Sequence, residues 1–243
     1  MTGHKEQEFL ERKKELKSLL FQQVADQTGK LFDENVLTLV WARRFAGYKR
    51  ADLLMNDWKR FEILLAHSKH PIQIIWAGKP YPEDIGANQI FNQIINEIKA
   101  FPNCAVLVGY ELGLSSLLKK GADVWLNNPK MYREASGTSG MTAAMNGAIN
   151  LSIPDGWIPE FAIDGENCFL IKPAEASLSQ EEKDKKENAN LMDVLEKTVL
   201  PTYYEYPSKW FDIVQNGIKG VIPEFESGRM ADAYYKQMYR HAD

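Results

Sequence analysis

Val36-Leu37-Thr38-Leu39-Val40-Trp41 is a continuous run rich in apolar and β-branched residues, with no charge inside it. A strand with one wet face alternates polar and apolar residues. This one does not, so it reads as a strand buried on both faces of a parallel sheet. Upstream, Phe9, Leu16, Leu20 and Val24 recur near a 3.6-residue period between lysines and glutamates. They predict a helix from Lys5 to about Gln27, closed by Gly29.

Downstream the alternation repeats. A helix is expected from Ala51 to about His67, a strand at Ile72–Ala77, a helix from Asp84 to Ala100 and a strand at Ala105–Val108. A shorter helix around Leu114–Lys120 leads to a strand at Asp123–Leu126, and another helix should run from Thr138 to about Asn146. This pattern predicts an α/β protein with a doubly wound, mostly parallel, Rossmann-like sheet and C-terminal helices. Such sheets bind ligands at the carboxyl ends of their strands.

The remainder is less patterned. Glu181–Asn190 is a charge run, expected as a solvated excursion or helix end. From Leu191 to His241 helical patterns should break at Pro201, Pro207 and Pro223. The last helix, Gly228–His241, places Met230, Ala233, Tyr234 and Met238 near one side. The expected organisation is a lead helix over 1–30, a Rossmann-like phosphate- and sugar-binding domain over 31–205, and a helical tail over 206–243. No internal repeat is seen.

Composition narrows the function classes. The chain has 243 residues and a formal charge of −4, so it has no general attraction to nucleic acid or acidic membranes, and any anion site must be built locally. Cys104 and Cys168 fit neither a disulfide framework nor a zinc spacing and read as reduced thiols. With four scattered histidines, no metal is expected. His67 and His70 lie near a predicted helix end, where a positive charge suits the dipole. Tyr203, Tyr204 and Tyr206 read as packing residues before sugar platforms. There is no apolar span of roughly 20 residues and no signal-peptide core in Met1–Glu8, so a cytoplasmic protein is expected.

Two segments carry chemistry. Ala42–Arg50 (Ala-Arg-Arg-Phe-Ala-Gly-Tyr-Lys-Arg) puts four cations around a glycine at the end of a predicted buried strand. Arginine forks and a lysine point charge there suit a phosphate, with a solvated loop as the plain alternative. Glu134–Gly147 (Glu-Ala-Ser-Gly-Thr-Ser-Gly-Met-Thr-Ala-Ala-Met-Asn-Gly) runs small and hydroxylated residues into a helix start. Its free N–H groups would attract an anion, although Ser136, Thr138 or Ser139 could equally be plain N-caps. Glu134, being acidic, is assigned to sugar hydroxyls.

Arg43–Arg50, Trp76–Pro80, Asp123–Pro129 and Glu134–Gly140 together resemble successive motifs of the α-glucan (glycogen, maltodextrin) phosphorylases. The resemblance is to their divergent bacterial and archaeal branch. It covers roughly Leu31–Pro173, with weaker echoes at Val199–Tyr204 and Arg229–Met230. It implies the C-terminal domain of a two-domain GT-B glycosyltransferase. The implied reaction transfers glucosyl units between α-1,4-glucan and phosphate, giving glucose 1-phosphate, with pyridoxal phosphate as cofactor. By matching motifs, Arg44 and Lys49 would hold phosphate, Glu134, Ser136 and Gly137 would bind glucose, and Tyr110 and Thr138 would approach the cofactor.

The departures are specific. The family lysine that forms the imine with pyridoxal phosphate lies eight residues after the glutamate, where this chain has Thr142. Glutamate, which sugar-nucleotide transferases keep there, is absent too. Glu111 is acidic where many members are basic or carry a shorter acid. Partners implied are α-glucan, phosphate, an N-terminal domain of the same protein and a homodimer contact through apolar helix faces. The isolated chain is expected to be inactive. A nucleotide-sugar-dependent transferase and a non-catalytic glucan- or phosphate-binding module remain as alternative readings.

Overall fold

A computed structural model describes residues 2–109 and 111–240; Tyr110 and His241 lie outside the described residues. The central strands are β1 (Leu37–Ala42) and β2 (Ile72–Gly78), buried at every position. They pair in parallel from Leu37↔Ile72 to Ala42↔Ala77. β3 (Cys104–Val108) extends one edge. β4 (Val124–Asn127), β5 (Ile149–Ser152) and β6 (Phe169–Leu170) extend the other, all parallel. The order β3-β2-β1-β4-β5-β6 reverses direction between β1 and β4. Helices that leave those two strands wind to opposite sides, so the carboxyl ends of β1 and β4 open into one crevice.

Side-chain alternation along β1 separates two cores. Leu37, Leu39 and Trp41 join a cluster with Ile72, Ile74 and Trp76. That face is covered by α2 (Trp58–Leu65), α3 (Ile85–Ile98), α7 (Gln180–Val194), α8 (Leu200–Glu205) and α9 (Pro207–Phe225). Val40 and Ala42 face the other side, with Leu20, Phe21 and Val24 of α1 (Thr2–Thr28) and Leu114 and Leu118 of α4 (Leu112–Gly121). Each large apolar side chain buried in these layers contributes about 2 kcal/mol. Among the described residues, no helix is long and apolar enough to cross a membrane.

The structure corrects several expectations. The helix expected over Ala51–His67 is a short 3₁₀ turn, Leu53–Met55, followed by α2 alone. Arg50 has a left-handed backbone that no helix can continue, and Asp57 restarts the helix by accepting the Arg60 N–H. The charge run begins in the first turn of α7, with Glu181, Glu182, Lys185 and Lys186 exposed as expected, but it continues into the helix, where Glu187 and Asn188 are buried. Pro201 and Pro223 do not break their helices. Pro201 follows the π turn Leu195–Val199 in an unbroken helical run, where the Leu200 N–H bonds to Leu195 O, and Pro223 is carried within α9. Pro207 does mark a boundary. The last helix is present as α10 (Ser227–Tyr234) and continues as a π turn, Tyr235–Tyr239; Met230, Tyr234 and Met238 on it are exposed. β5 and β6 were not anticipated; β6 has two residues, too few to show a period.

Candidate functional site

β1 ends at Ala42, and the cationic segment turns across the carboxyl end of the sheet on a bed made by β2. The Arg43 N–H donates to Ala77 O (3.0 Å), and the Phe45 N–H donates to Lys79 O (3.2 Å). Gly78 has φ 135°, and a Cβ there would stand 2.1 Å from the Arg43 carbonyl oxygen. The Trp76–Pro80 segment therefore needs a glycine to let the loop pass. Phe45 is buried against Trp41 and Phe91 and pins the first half of the loop. A single 3₁₀ turn, Gly47–Lys49, and Arg50 complete it.

The four cations have different surroundings. Arg43 is buried; its Nη2 donates to Leu126 O (3.3 Å), and its Nη1 lies 3.6 Å from Glu134 Oε2. Arg44 is exposed and, among the described residues, faces no carboxylate within ion-pair distance. Lys49 Nζ donates to both Glu134 oxygens, at 3.0 and 3.2 Å. Arg50 is buried and pairs with Asp184 and Glu187. Nearby, burial pushes the Asp52 carboxyl up from its ordinary range, with the Asp184 charge adding to the rise.

Glu134 arrives from β4. Asp155 Oδ2 accepts the N–H groups of Arg133 and Glu134, both at 3.0 Å, and so orients the glutamate backbone. The Trp157 N–H, at the head of α6 (Ile158–Phe161), donates to Ser136 O (2.9 Å). Gly156, at φ 63°, lets the two loops touch, because a Cβ there would lie 2.3 Å from Ser136 O. Gly137 is the left-handed N-cap of α5 (Thr138–Met145). A buried ladder fixes that helix start: Asn127 Nδ2 donates to Asn150 Oδ1 (2.8 Å), and Asn150 Nδ2 donates to Gly140 O (3.0 Å).

The structure thus brings Lys49 and Glu134 into contact, with Ser136 and Gly137 beside Glu134 around a narrow crevice. Ser136, Thr138 and Thr142 line a second, open cleft of about 550 Å³, whose far wall is Phe225, Glu226, Arg229 and Met230. Thr142 Oγ1 donates to Thr138 O (3.2 Å) and Ser139 O (3.1 Å), turned into its own helix. Arg44 lines neither space. Tyr110 lies outside the described residues. Sequence reading missed Asp155, Trp157 and the Asn127–Asn150 ladder. The Pro154-Asp155-Gly156 turn signal was legible, but its target was not.

Among the described residues no group of three or more metal-ligating side chains is assembled. A parallel sheet with a lysine–glutamate pair at its switch point, an open arginine and a glycine-led helix start defines a Rossmann-like domain of the GT-B glycosyltransferase type. The model of the carbohydrate phosphorylases matches residues 3–200. An uncharacterised protein of Methanocaldococcus jannaschii is 42% identical over 231 residues, covering 95% of this chain and 43% of that protein. The maltodextrin phosphorylase of Thermococcus litoralis is 34% identical over 244 residues, 96% of this chain and 29% of its own. The glycogen phosphorylase of Mycobacterium tuberculosis is 38% identical over 219 residues, 87% and 25% respectively. The chain belongs to the carbohydrate phosphorylase family, and it spans less than half the length of each of these relatives.

Proposed function

We propose that this chain holds the phosphate and glucosyl groups in a phosphorylase-type transfer between α-1,4-glucan and phosphate, with glucose 1-phosphate as the phosphorylated sugar. The observation that carries the reading is the Lys49–Glu134 pair, 3.0 Å apart where β1 and β4 diverge. Both side chains are reachable, at 13% and 14% exposure. A phosphate entering beside Arg44 competes with Glu134 for Lys49 and takes it as a charge-assisted donor. The carboxylate so released accepts hydrogen bonds from sugar hydroxyls, with Ser136 and Gly137 alongside. The anion charge is met by Arg44, Lys49 and the α5 start at Thr138.

The family cofactor is a separate question. Pyridoxal phosphate held as an imine needs a lysine amine, and its position is Thr142, whose hydroxyl is spent on two helix carbonyls. The cleft lining around Thr142 contains no lysine. These residues do not fit a covalently held pyridoxal phosphate. A second domain would complete the acceptor side of the cleft, so the chain alone is inactive in this reading.

Calorimetric titration with glucose 1-phosphate, inorganic phosphate and glucose tests the assignment. Glucose 1-phosphate should bind more tightly than either half, and its affinity should fall as salt rises. Absence of glucose 1-phosphate binding, or affinity no better than that of phosphate, would sink it. Treatment with pyridoxal phosphate and borohydride should leave the peptide containing Thr142 at its unmodified mass.

A further inference from the structure

The geometry points to Arg50, gripped by Asp184 and Glu187 of α7, as the positioning residue that holds Lys49 against Glu134. Its consequence for ligand affinity rests on the phosphate-and-sugar reading above; its consequence for Lys49 does not.

Lys49 closes a three-residue 3₁₀ turn in which no residue is buried. The turn is held by few groups of its own: Tyr48 O accepts the Lys130 N–H (2.7 Å), and a Cβ on Gly47 would meet nothing within 4 Å. The first half of the loop, before this turn, is pinned by Phe45. Its second half ends on Arg50, whose φ of 49° and ψ of 58° place a non-glycine residue in the left-handed region. Such a backbone persists only where its surroundings over-determine it.

Here they do. Arg50 Nε donates to Asn128 O (2.9 Å) and Nη2 donates to Pro129 O (2.8 Å). Nη1 lies 2.7 Å from Asp184 Oδ1 and 2.6 Å from Glu187 Oε2. In return Asn128 Nδ2 donates to the Arg50 carbonyl (2.8 Å). Asn128 and Pro129 belong to the segment that leaves β4 toward Glu134. Alongside the bond from the Lys130 N–H to Tyr48 O (2.7 Å), one guanidinium thus ties the loop carrying Lys49 to the loop carrying Glu134.

The carboxylates of α7 are what allow a cation to be buried at that junction. Glu187 is almost fully buried, and its other oxygen accepts the Ala174 N–H (2.9 Å). Asp184 is the reachable arm, at 28% exposure, and also accepts from Gln180 Nε2 (2.9 Å). Cavities of about 250 and 370 Å³ flank Arg50, both lined by Lys130. With open space on either side, the ionic anchor adds to the Lys130–Tyr48 backbone bond in setting the position of the loop.

The test uses the whole chain with its lysines reductively ¹³C-methylated, the Lys49 signal being assigned with Lys49→Arg. In Glu187→Gln that signal should move toward those of exposed lysines and lose its response to Glu134→Gln. Glucose 1-phosphate affinity should fall on the order of tenfold, since small misplacements of a binding group are costly. Asp184→Asn, at a half-open position, is the second variant should Glu187→Gln fail to fold. It should give the same shift in smaller measure, with Asp184→Glu restoring it. An unchanged Lys49 signal in folded Glu187→Gln or Asp184→Asn overturns the proposal. If glucose 1-phosphate fails to bind the wild type, the functional reading falls, while the Lys49 signal still decides the positioning role.

Discussion

Cations are buried at both ends of this sheet, and the two ends use them differently. At the amino ends of the strands, Lys17 Nζ donates to Asp123 Oδ2 and Val36 O, both at 2.7 Å. Lys13 Nζ donates to Lys120 O (3.0 Å) and Ala122 O (2.9 Å). Lys30 reaches Ile98, Phe101 and Cys104 carbonyls at 2.7–3.1 Å. These lysines cap the ends of helices and fasten the N-terminal segment to the sheet; carbonyls take most of their protons. At the carboxyl ends, Arg43, Lys49 and Arg50 meet carboxylates, and Glu134 stays within reach of solvent. Burial and ion pairing alone therefore do not distinguish a lock from a site. The distinguishing features are a reachable charge that a ligand can replace and a position at the strand ends where the sheet order reverses.

The largest expected effect tests the lock. Asp123→Ala strands Lys17, which is 1% exposed, and removes the acceptor of the Thr38 N–H. It should cost about 3–5 kcal/mol in urea unfolding. The sugar-phosphate affinity of the remaining folded protein should not change. A loss below about 1 kcal/mol would mean that the lock is as loosely held as a surface pair.

Glu134→Gln tests the other end. It keeps the shape but removes the charge, and should cost about 2 kcal/mol of glucose 1-phosphate affinity by calorimetry. The melting temperature should barely move. The reverse, lost stability with unchanged affinity, would make Glu134 a second lock.

The pH dependence sharpens the contrast, because Lys13 belongs to the lock. Burial pushes its amine down from 10.5 to about 8. The folded protein then loses this proton before the unfolded chain does, so stability rises with pH above about 8. Burial pushes the Cys104 and Cys168 thiols from 9.0 up to about 12. They stay protonated in the fold while the unfolded chain ionises, so they reverse the slope above about pH 9. Unfolding free energy measured at stepped pH should peak near there. The rising limb, about 1.4 kcal/mol per pH unit, should largely vanish in Lys13→Met.

The smallest effect concerns the helix start between the two clefts. Thr142 bonds back to its own helix, which offsets little of its lower helix propensity. Thr142→Ala should raise stability by about 0.5 kcal/mol and leave glucose 1-phosphate affinity unaltered. A drop in affinity would give the hydroxyl a role at the site.

Legibility followed local physics. β1 to β4 could be read because each carries a charge-free, largely apolar run, buried at every position in β1, β2 and β4 and partly exposed in the edge strand β3. β5 carries Asn150 and Ser152, buried polar residues that hide it; Asn150 is paired on other elements, with Asn127 and the Gly140 carbonyl, and Ser152 with the adjoining Ile153 carbonyl. The charge run misled because its composition is that of a solvated face, yet Arg50, 134 residues before Asp184, draws one side of α7 inward. At the site, the cation cluster and the small-residue helix start were both visible. Asp155, which orients Glu134 through two backbone N–H groups, carries no signal of that role in its neighbourhood.

By itself the sequence determined the alternation of buried strands and helices, the cationic turn after β1 and the glycine-rich start of α5. Each of these depends on periodicity or on backbone freedom within a few residues. Only the tertiary structure decided that Lys49 meets Glu134 across 85 residues, that Arg50 is neutralised by α7, and that Thr142 lines an open cleft whose far wall includes α10. Those pairings follow from the order in which strands lie side by side. That order is set by the burial of the whole sheet between its helical layers, which no local stretch of chain encodes.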